Sequence, residues 1–293
     1  IGTGLLLFYD LQYRLVNYAI TGFRDNPSLV IRKQWHFFNP KAGVTYKKNN
    51  WKTYLSYGMA SKEPNRDDFE AGAAQQPSPE QLQDIEAGVE NHGKKYTWGA
   101  TLYYMRYKDQ LVLTGKINDV GAYTRINIPN SYRTGIELQG TMQVTPWLHT
   151  AANLTLSQNK VLDIEEYIDD YDNGGQKINR YPSANIAYSP AITGGANLDF
   201  GPFSGTVISL ISKYVSRQNL DNTGNTARSL DPFFVQDLRI SYTIKTKKLK
   251  ELNLIGQLNN VFNNQYEPNG YTFSYIYGGQ QTTENYYFPM AGI

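Results

Sequence analysis

Residues Ser131–Ser157 read SYRTGIELQGTMQVTPWLHTAANLTLS. From Gly135 two interleaved sets separate: Ile136, Leu138, Gly140, Met142 and Val144 against Gly135, Glu137, Gln139, Thr141 and Gln143. Successive side chains of a strand point to opposite faces, so this period predicts a strand with one apolar and one polar face. Thr145-Pro146 breaks the pattern, and Trp147–Ser157 resumes it, with Leu148, Ala152, Leu154 and Leu156 opposite His149, Ala151, Asn153, Thr155 and Ser157. The apolar face rests either on a protein core, as in a soluble sandwich, or on lipid, as in a membrane barrel. The choice between them decides the fold.

The same period runs through the chain. It predicts strands over Leu5–Ile20, Lys33–Lys47, Trp51–Ser61, Gln81–Glu90, Tyr96–Leu113, Ala184–Leu198, Phe203–Ser216, Phe234–Ile244, Leu252–Phe262 and from Tyr286 to the end, about twelve with the opening pair. Phe203–Ser216 alternates poorly. Short connections (48–50, 91–94, 145–146, 201–202, 246–250) alternate with long polar ones (21–32, 62–80, 114–130, 160–183, 217–232, 263–285). An up-and-down barrel does this when tight turns occupy one rim and long loops the other; Greek-key sandwiches mix connection lengths. Tyr46, Trp51, Tyr96, Trp98 and Trp147 recur beside the short turns, where an aromatic girdle sits at a membrane interface. Charged side chains keep to the polar parity: Arg14, Glu86, Glu137, Asp237 and Arg239 are predicted to face a lumen or plug. Ile136, Leu138, Met142 and Leu154 are then expected to face acyl chains.

Composition narrows the function. In 293 residues, 28 Lys and Arg against 26 Asp and Glu leave a net charge of +2, with no sign of a nucleic-acid stripe. The lack of cysteine excludes disulfides, thiolate metal sites and a cysteine nucleophile. A mean hydropathy of −0.52 and the absence of any apolar run near 18 residues argue against a transmembrane helix, and are compatible with half-apolar barrel strands. The 24 tyrosines suit strands and membrane interfaces, although a soluble Tyr-rich sandwich adhesin shares that composition.

Several stretches resemble the barrel of TonB-dependent outer-membrane receptors: Phe8–Arg14 (FYDLQYR), Ser61–Phe69 (SKEPNRDDF) and, most specifically, Asn253–Glu267 (NLIGQLNNVFNNQYE), similar to the family's penultimate strand. Tyr286–Ile293 looks like the start of its closing strand, and the style of the motifs resembles receptors of Bacteroidetes-type bacteria. The resemblance implies a transmembrane antiparallel 22-stranded barrel around an N-terminal plug, of which residues 1–293 are expected to be the C-terminal portion. It implies a location in the Gram-negative outer membrane and contacts with lipid, lipopolysaccharide, the plug and the remaining strands. It further implies TonB through a missing N-terminal part, and import of a scarce nutrient. A ferric siderophore or other iron chelate is the first expectation for cargo; cobalamin, haem, an oligosaccharide or a passive channel are the alternatives. No enzyme activity and no cofactor are expected.

Candidate ligand contacts fall in the long connections. Tyr271, Phe273, Tyr275 and Tyr277 share one parity and suit stacking on a planar ligand; the alternative is tyrosines packing across a hairpin. Arg125, Arg217 and Arg228 are candidates for an anionic chelate or lipopolysaccharide. Asp163, Glu165, Asp169 and Asp170 form an acidic stretch weakly suggestive of calcium, without the spacing of a known calcium loop. His36, His92 and His149 are too scattered to suggest a metal or haem site, with His36 on the lipid parity.

Overall fold

The computed structural model describes residues 4–24, 26–71, 76–117, 123–246 and 250–290. Sixteen strands and one short 3-10 turn, Arg66–Ala71, account for the regular structure among these residues. Eleven strands follow one another edge to edge in an antiparallel sheet: β1 (Gly4–Thr21), β2 (Val30–Lys48), β3 (Trp51–Lys62), β4 (Glu80–His92), β5 (Tyr96–Ile117), β6 (Tyr123–Thr145), β7 (Leu148–Asp170), β9 (Ile192–Phe200), β10 (Thr206–Val215), β13 (Phe233–Thr246) and β14 (Lys250–Leu258). Strands β1 and β14 are the two edges of this path, and β11 (Gln218–Asn219) and β12 (Ser229–Leu230) pair with each other in the connection from β10 to β13. β8 (Gln176–Asn185) returns along the upper half of β7 and β9 along its lower half, so the two are one descending strand broken at 186–191.

Register lines the apolar parity into continuous rows. One runs Leu7–Val44–Leu55–Ala87–Leu102–Ile136–Leu156–Ile192 across eight strands. The neighbouring row on the other face reads Phe8–Gly43–Ser56–Glu86–Tyr103–Gly135–Ser157. The same register puts Arg14, Glu137, Asp237 and Arg239 on the face of Glu86. Protein folds onto this polar face: the segment at 186–191 crosses it, and Arg133 Nη1 donates to Ser189 Oγ at 2.9 Å. The apolar face stays open, with Leu55, Leu102 and Leu138 exposed. An apolar face that none of the described residues covers, opposite a charged face that the loops do cover, is the arrangement lipid selects. Aromatics mark the short-turn rim, where Trp51 meets Trp98 edge-on at 5.6 Å and Trp147 meets Phe200 at 5.1 Å. The poor alternation of Phe203–Ser216 has a simple cause: Val207 and Ile211 fall on the polar face of β10, in register with Ser241 and Asp237.

Above the membrane the long connections are less irregular than the sequence suggests. β5 with β6, and β7 with β8, continue as hairpins beyond the lipid rows. Each hairpin carries a kink of the same composition. Asp109 stands opposite Pro129 and Asp163 opposite Pro182, and both aspartates are left-handed, with φ of 57° and 53°. Proline donates no ladder hydrogen bond, and aspartate tolerates the left-handed region better than most residues. Register resumes unshifted, but the inward face changes parity. Val161 and Ala184 are buried below the second kink, and Ile164, Glu166 and Ile168 above it. A core of Val112, Ile128, Val161, Ile164, Ala184 and Ile186 closes around the two kinks. A second core, Phe23, Leu29, Ile31 and Phe69, fixes the 3-10 turn against β1 and β2.

The expected last strand is where the structure departs from the sequence reading. Tyr286–Phe288 belong to β16 (Gln280–Phe288), which pairs with β15 (Asn269–Tyr277) and not with β14. Residues 291–293 lie outside the described part of the chain. Placing Arg at Leu102, mid-way along an apolar row, is expected to cost about 2–4 kcal/mol of folding stability in bilayers. Arg at Thr101, one residue away on the polar face, is expected to cost little; denaturant unfolding of both variants in lipid vesicles checks the difference.

Candidate functional site

A cavity of ≈ 380 Å³ lies at the long-connection end of the sheet, on the polar side. Its walls come from upper β5 and β7, the break at 186–188, the connection at 220–223 and the start of β15. Leu111, Val112, Ile164, Ile186 and Leu220 make most of it apolar, and Tyr167, Tyr188, Tyr271 and Phe273 are also among its lining residues.

Of the residues singled out from sequence, Tyr271, Phe273, Arg125, Arg228 and Glu165 line this cavity. Tyr275, Tyr277, Arg217, Asp163, Asp169 and Asp170 do not. β15 and β16 form a hairpin whose outward face stacks Tyr271 on Tyr286 at 5.0 Å and Phe273 on Tyr286 at 5.9 Å. Tyrosines packing across a hairpin are therefore present, and the same hairpin also walls the cavity. It is tied down at its tip: Gly278 N and Gly279 N donate to the Asp172 carboxylate at 2.8 and 2.7 Å, and β15 runs parallel beside the end of β7. Both residues of this turn have positive φ, 64° and 75°, a conformation that glycine adopts without a Cβ penalty, which is why glycine occupies both positions.

Neither cavity arginine is a free cation. Arg125 holds Asp68 through two hydrogen bonds of 2.7 Å, which pins the 3-10 turn to β6. Arg228 is buried, ion-paired with Glu166 and with Asp221 at 2.8 Å, and reaches Thr283 Oγ1 at 3.4 Å. Glu166 also accepts from Tyr181 Oη at 2.8 Å and Asn179 Nδ2 at 3.2 Å. This one cluster joins the β7–β8 hairpin, the β10–β13 connection and the β15–β16 hairpin. Arg217 is exposed, 3.7 Å from Asp231. Burial and the hydrogen bond to Glu166 push the Tyr181 hydroxyl up to about 12, and burial with the bond to Glu165 does the same for Tyr167.

The acidic stretch does not converge. Glu165 pairs with Arg180 at 2.9 Å, Asp169 accepts from Gln176, and Asp170 caps the turn through Asn173. Among the described residues no group of three or more His, Asp or Glu could hold a metal ion. The histidines stay apart as well: His36 bonds Tyr13 at 2.5 Å, His92 pairs with Glu90 and His149 lies 3.7 Å from Asp199. On the polar face, Glu86 and Glu137 share a recess with Tyr103 and Arg133, Arg14 forms a two-pronged pair with Glu63, and Arg239 bonds Gln257 at 2.8 Å. Asp237 accepts from Asn260 N at 2.8 Å. Sequence reasoning missed Glu166, Asp221 and Asp68, the partners that hold the arginines. The Asp163–Pro182 kink is the signal that would have turned Glu166, and not Glu165, inward.

A family model described as TonB dependent receptor-like, beta-barrel, matches residues 8–286. No curated protein sequence matches the chain. Among solved structures, the siderophore receptor PiuA from Acinetobacter baumannii is similar with a TM-score of 0.71 and 16% identity, covering 98% of this chain and 39% of that one. The ferric-catecholate import receptor Fiu from K12 E. coli has a TM-score of 0.60 and 14% identity, covering 96% and 42%. The FrpB iron transporter from Neisseria meningitidis has a TM-score of 0.64 and 18% identity, covering 91% and 40%. The chain thus spans about two fifths of these structures, and at such identity the likeness concerns the fold alone.

Arg228→Ala strands the buried Glu166 and is expected to cost about 3–5 kcal/mol of local stability. Arg217→Ala is expected to stay within about 0.5 kcal/mol. Hydrogen exchange of amides over 160–186 reads both. The Tyr181 bond is fully present below pH 10, the ordinary tyrosine value, and is lost as pH rises through about 12. Amide protection over 160–186 should fall across that window, and Tyr181→Phe should remove this contribution.

Proposed function

The chain belongs to the β-barrel family of TonB-dependent receptors, outer-membrane proteins and not enzymes, and from that premise we propose that it supplies wall and mouth to an active transporter. The protein of which it is part binds a scarce nutrient at the cell surface and imports it with energy coupled through TonB. Residues 1–293 are the C-terminal portion of its barrel. Glu86, Glu137, Arg14, Asp237 and Arg239 face a plug on the lumen side, and lipid and lipopolysaccharide surround the apolar rows.

The observation that carries this reading is the cavity at the long-connection rim, above the polar face. Its position suits first contact with a ligand arriving from outside, because the loops that wall it are held in one arrangement by the Arg228 cluster. Preorganised walls lower the ordering cost of binding. Aromatic rings beside aliphatic walls suit a bulky organic chelate more than a bare ion. A ferric siderophore is the cargo this combination favours, and a siderophore receptor, a ferric-catecholate import receptor and an iron transporter share the fold that would carry it.

Iron-starved cells carrying the receptor are expected to accumulate radiolabelled ferric chelate in a TonB-dependent manner. Ile186→Trp, which fills the cavity, should weaken uptake by about tenfold. Accumulation of cobalamin, haem or oligosaccharide in place of ferric chelate, or uptake indifferent to TonB, would replace the reading.

A further inference from the structure

We propose that the outer wall of β5, β6 and β7 carries a binding site for the phosphorylated headgroup of lipopolysaccharide, built by Arg106, Lys108 and Lys160. The proposal rests on the orientation of the rows in the outer membrane, long connections outward, and not on which nutrient is carried.

These three cations depart from the rule that charge keeps to the polar face. Below the kinks, the remaining lipid-facing positions of β4 to β7 are uncharged, and no carboxylate occurs among them. Register stacks four rows upward across these strands. Ala87–Leu102–Ile136–Leu156 is followed by Ile85–Tyr104–Thr134–Gln158, then by Gln83–Arg106–Tyr132–Lys160, then by Gln81–Lys108–Asn130–Leu162. Aliphatic side chains thus give way to aromatic and polar ones, and these to cations. Tyr104 and Tyr132 stack at 6.2 Å, and Tyr132 Oη donates to Gln158 Oε1 at 2.9 Å. Tyr96 opens β5 at the short-turn rim, and Arg106 follows it by ten residues. At about 3.3 Å per residue and a tilt of about 40°, that is about 25 Å of rise, the height of a barrel's apolar band. Arg106 therefore stands at the outer headgroup level, where a lipid-facing charge costs far less than at mid-bilayer.

The three heads are placed to converge. Arg106 and Lys160 flank Tyr132 two strand spacings apart, about 10 Å, and Lys108 lies about 7 Å above Arg106 along β5. Long, flexible stems bridge such gaps, so all three can reach the oxygens of one phosphate. They are also uncommitted, unlike Arg125. Arg106 Nη2 donates to Asn130 Oδ1 at 3.4 Å, and among the described residues none of the three forms an ion pair. Asp109 and Asp163, their nearest carboxylates along the chain, form none either. Arg106 and Lys108 are exposed and Lys160 is half-buried. The patch lies mid-sheet, with β1 and β14 as the edges, so further barrel strands join far from it. Clustered Lys and Arg at a membrane surface attract anionic headgroups. In the outer leaflet the phosphates at this depth belong to lipopolysaccharide, whose acyl chains would lie along Leu102, Ile136 and Leu156 below.

The test titrates the purified receptor in nonionic detergent with hexa-acyl diphosphoryl lipid A and counts bound lipid by native mass spectrometry. Fully dephosphorylated lipid A and phosphatidylglycerol are each expected to bind at least about tenfold more weakly, and excess inorganic phosphate is not expected to displace the lipid A. Each of Arg106→Gln, Lys108→Gln and Lys160→Gln should weaken binding about fivefold, and the three together at least about thirtyfold. Arg106→Lys, Lys108→Arg and Lys160→Arg combined should stay within about threefold of the unaltered receptor. Lys48→Gln, Lys94→Gln and Lys95→Gln combined remove the same charge at the short-turn rim and should change binding by less than about twofold. Heat-modifiable migration reports that each barrel is folded. Binding unmoved by the triple Gln change in a folded barrel, or an equal loss in the short-turn control, would overturn the proposal. So would equal affinity for phosphatidylglycerol or for dephosphorylated lipid A, or displacement by inorganic phosphate. No nutrient enters this assay, so failure of ferric-chelate uptake and failure of lipid A binding are separate results.

Discussion

The constraint on which the rest of this structure depends is the two-residue period of its strands, held between lipid on one side and a polar interior on the other. A one-residue slip would turn a whole strand's charges into the hydrocarbon. Eight strands therefore share one apolar row from Leu7 to Ile192, and the adjacent row carries Glu86 and Tyr103. That constraint ends where the lipid ends. At the upper edge the chain is free to exchange faces, and it does so twice with the same pair of residues, a left-handed aspartate facing a proline. The exchange turns Ile164, Glu166 and Ile168 inward and makes a small core at the mouth.

Once turned inward, Glu166 needs a cation, and Arg228 from the β10–β13 connection provides it. Buried pairs of this type contribute little net stability, yet breaking one is expensive, so they fix which loops meet. Asp68 on Arg125 acts the same way at the cavity wall, and the exposed Asp172 carboxylate holds two glycine amides at the tip of the β15–β16 hairpin. Three loop-to-loop contacts thus use carboxylates in place of large apolar surfaces, and the apolar side chains of the mouth are left to line a cavity. The electrostatic consequence is that cations which look available in the sequence are consumed in holding the walls together.

Much of the fold was legible in the sequence. Ten strands lie where period-two runs place them, because the two solvents impose that period strongly on strands such as Ile136–Val144, whereas Ala184–Leu198 reads as one strand and is broken at 186–191. The girdle at Trp51, Trp98 and Trp147 was legible for the same reason. What escaped lies above the membrane, where no solvent alternates across the strand. Lys160–Ser183 reads as a polar loop and is a hairpin; Tyr286–Phe288 read as a barrel strand and pair with β15. The cavity was half legible. Tyr271, Phe273, Arg125 and Arg228 were identified by type, but their partners Asp68, Asp221 and Glu166 lie 57, 7 and 62 residues from the arginines they bind, and no local pattern announces such pairs.

Oxygen accessibility of spin labels placed singly at positions 148 to 170 along β7 tests this account most directly, and residues 1–293 contain no cysteine to compete for the label. The account predicts high oxygen accessibility at even positions from 148 to 156, low values at odd ones, and a reversal of phase between 161 and 164, so that 164, 166 and 168 become the protected set. A single unbroken phase through 170, or no period of two below 157, would contradict it.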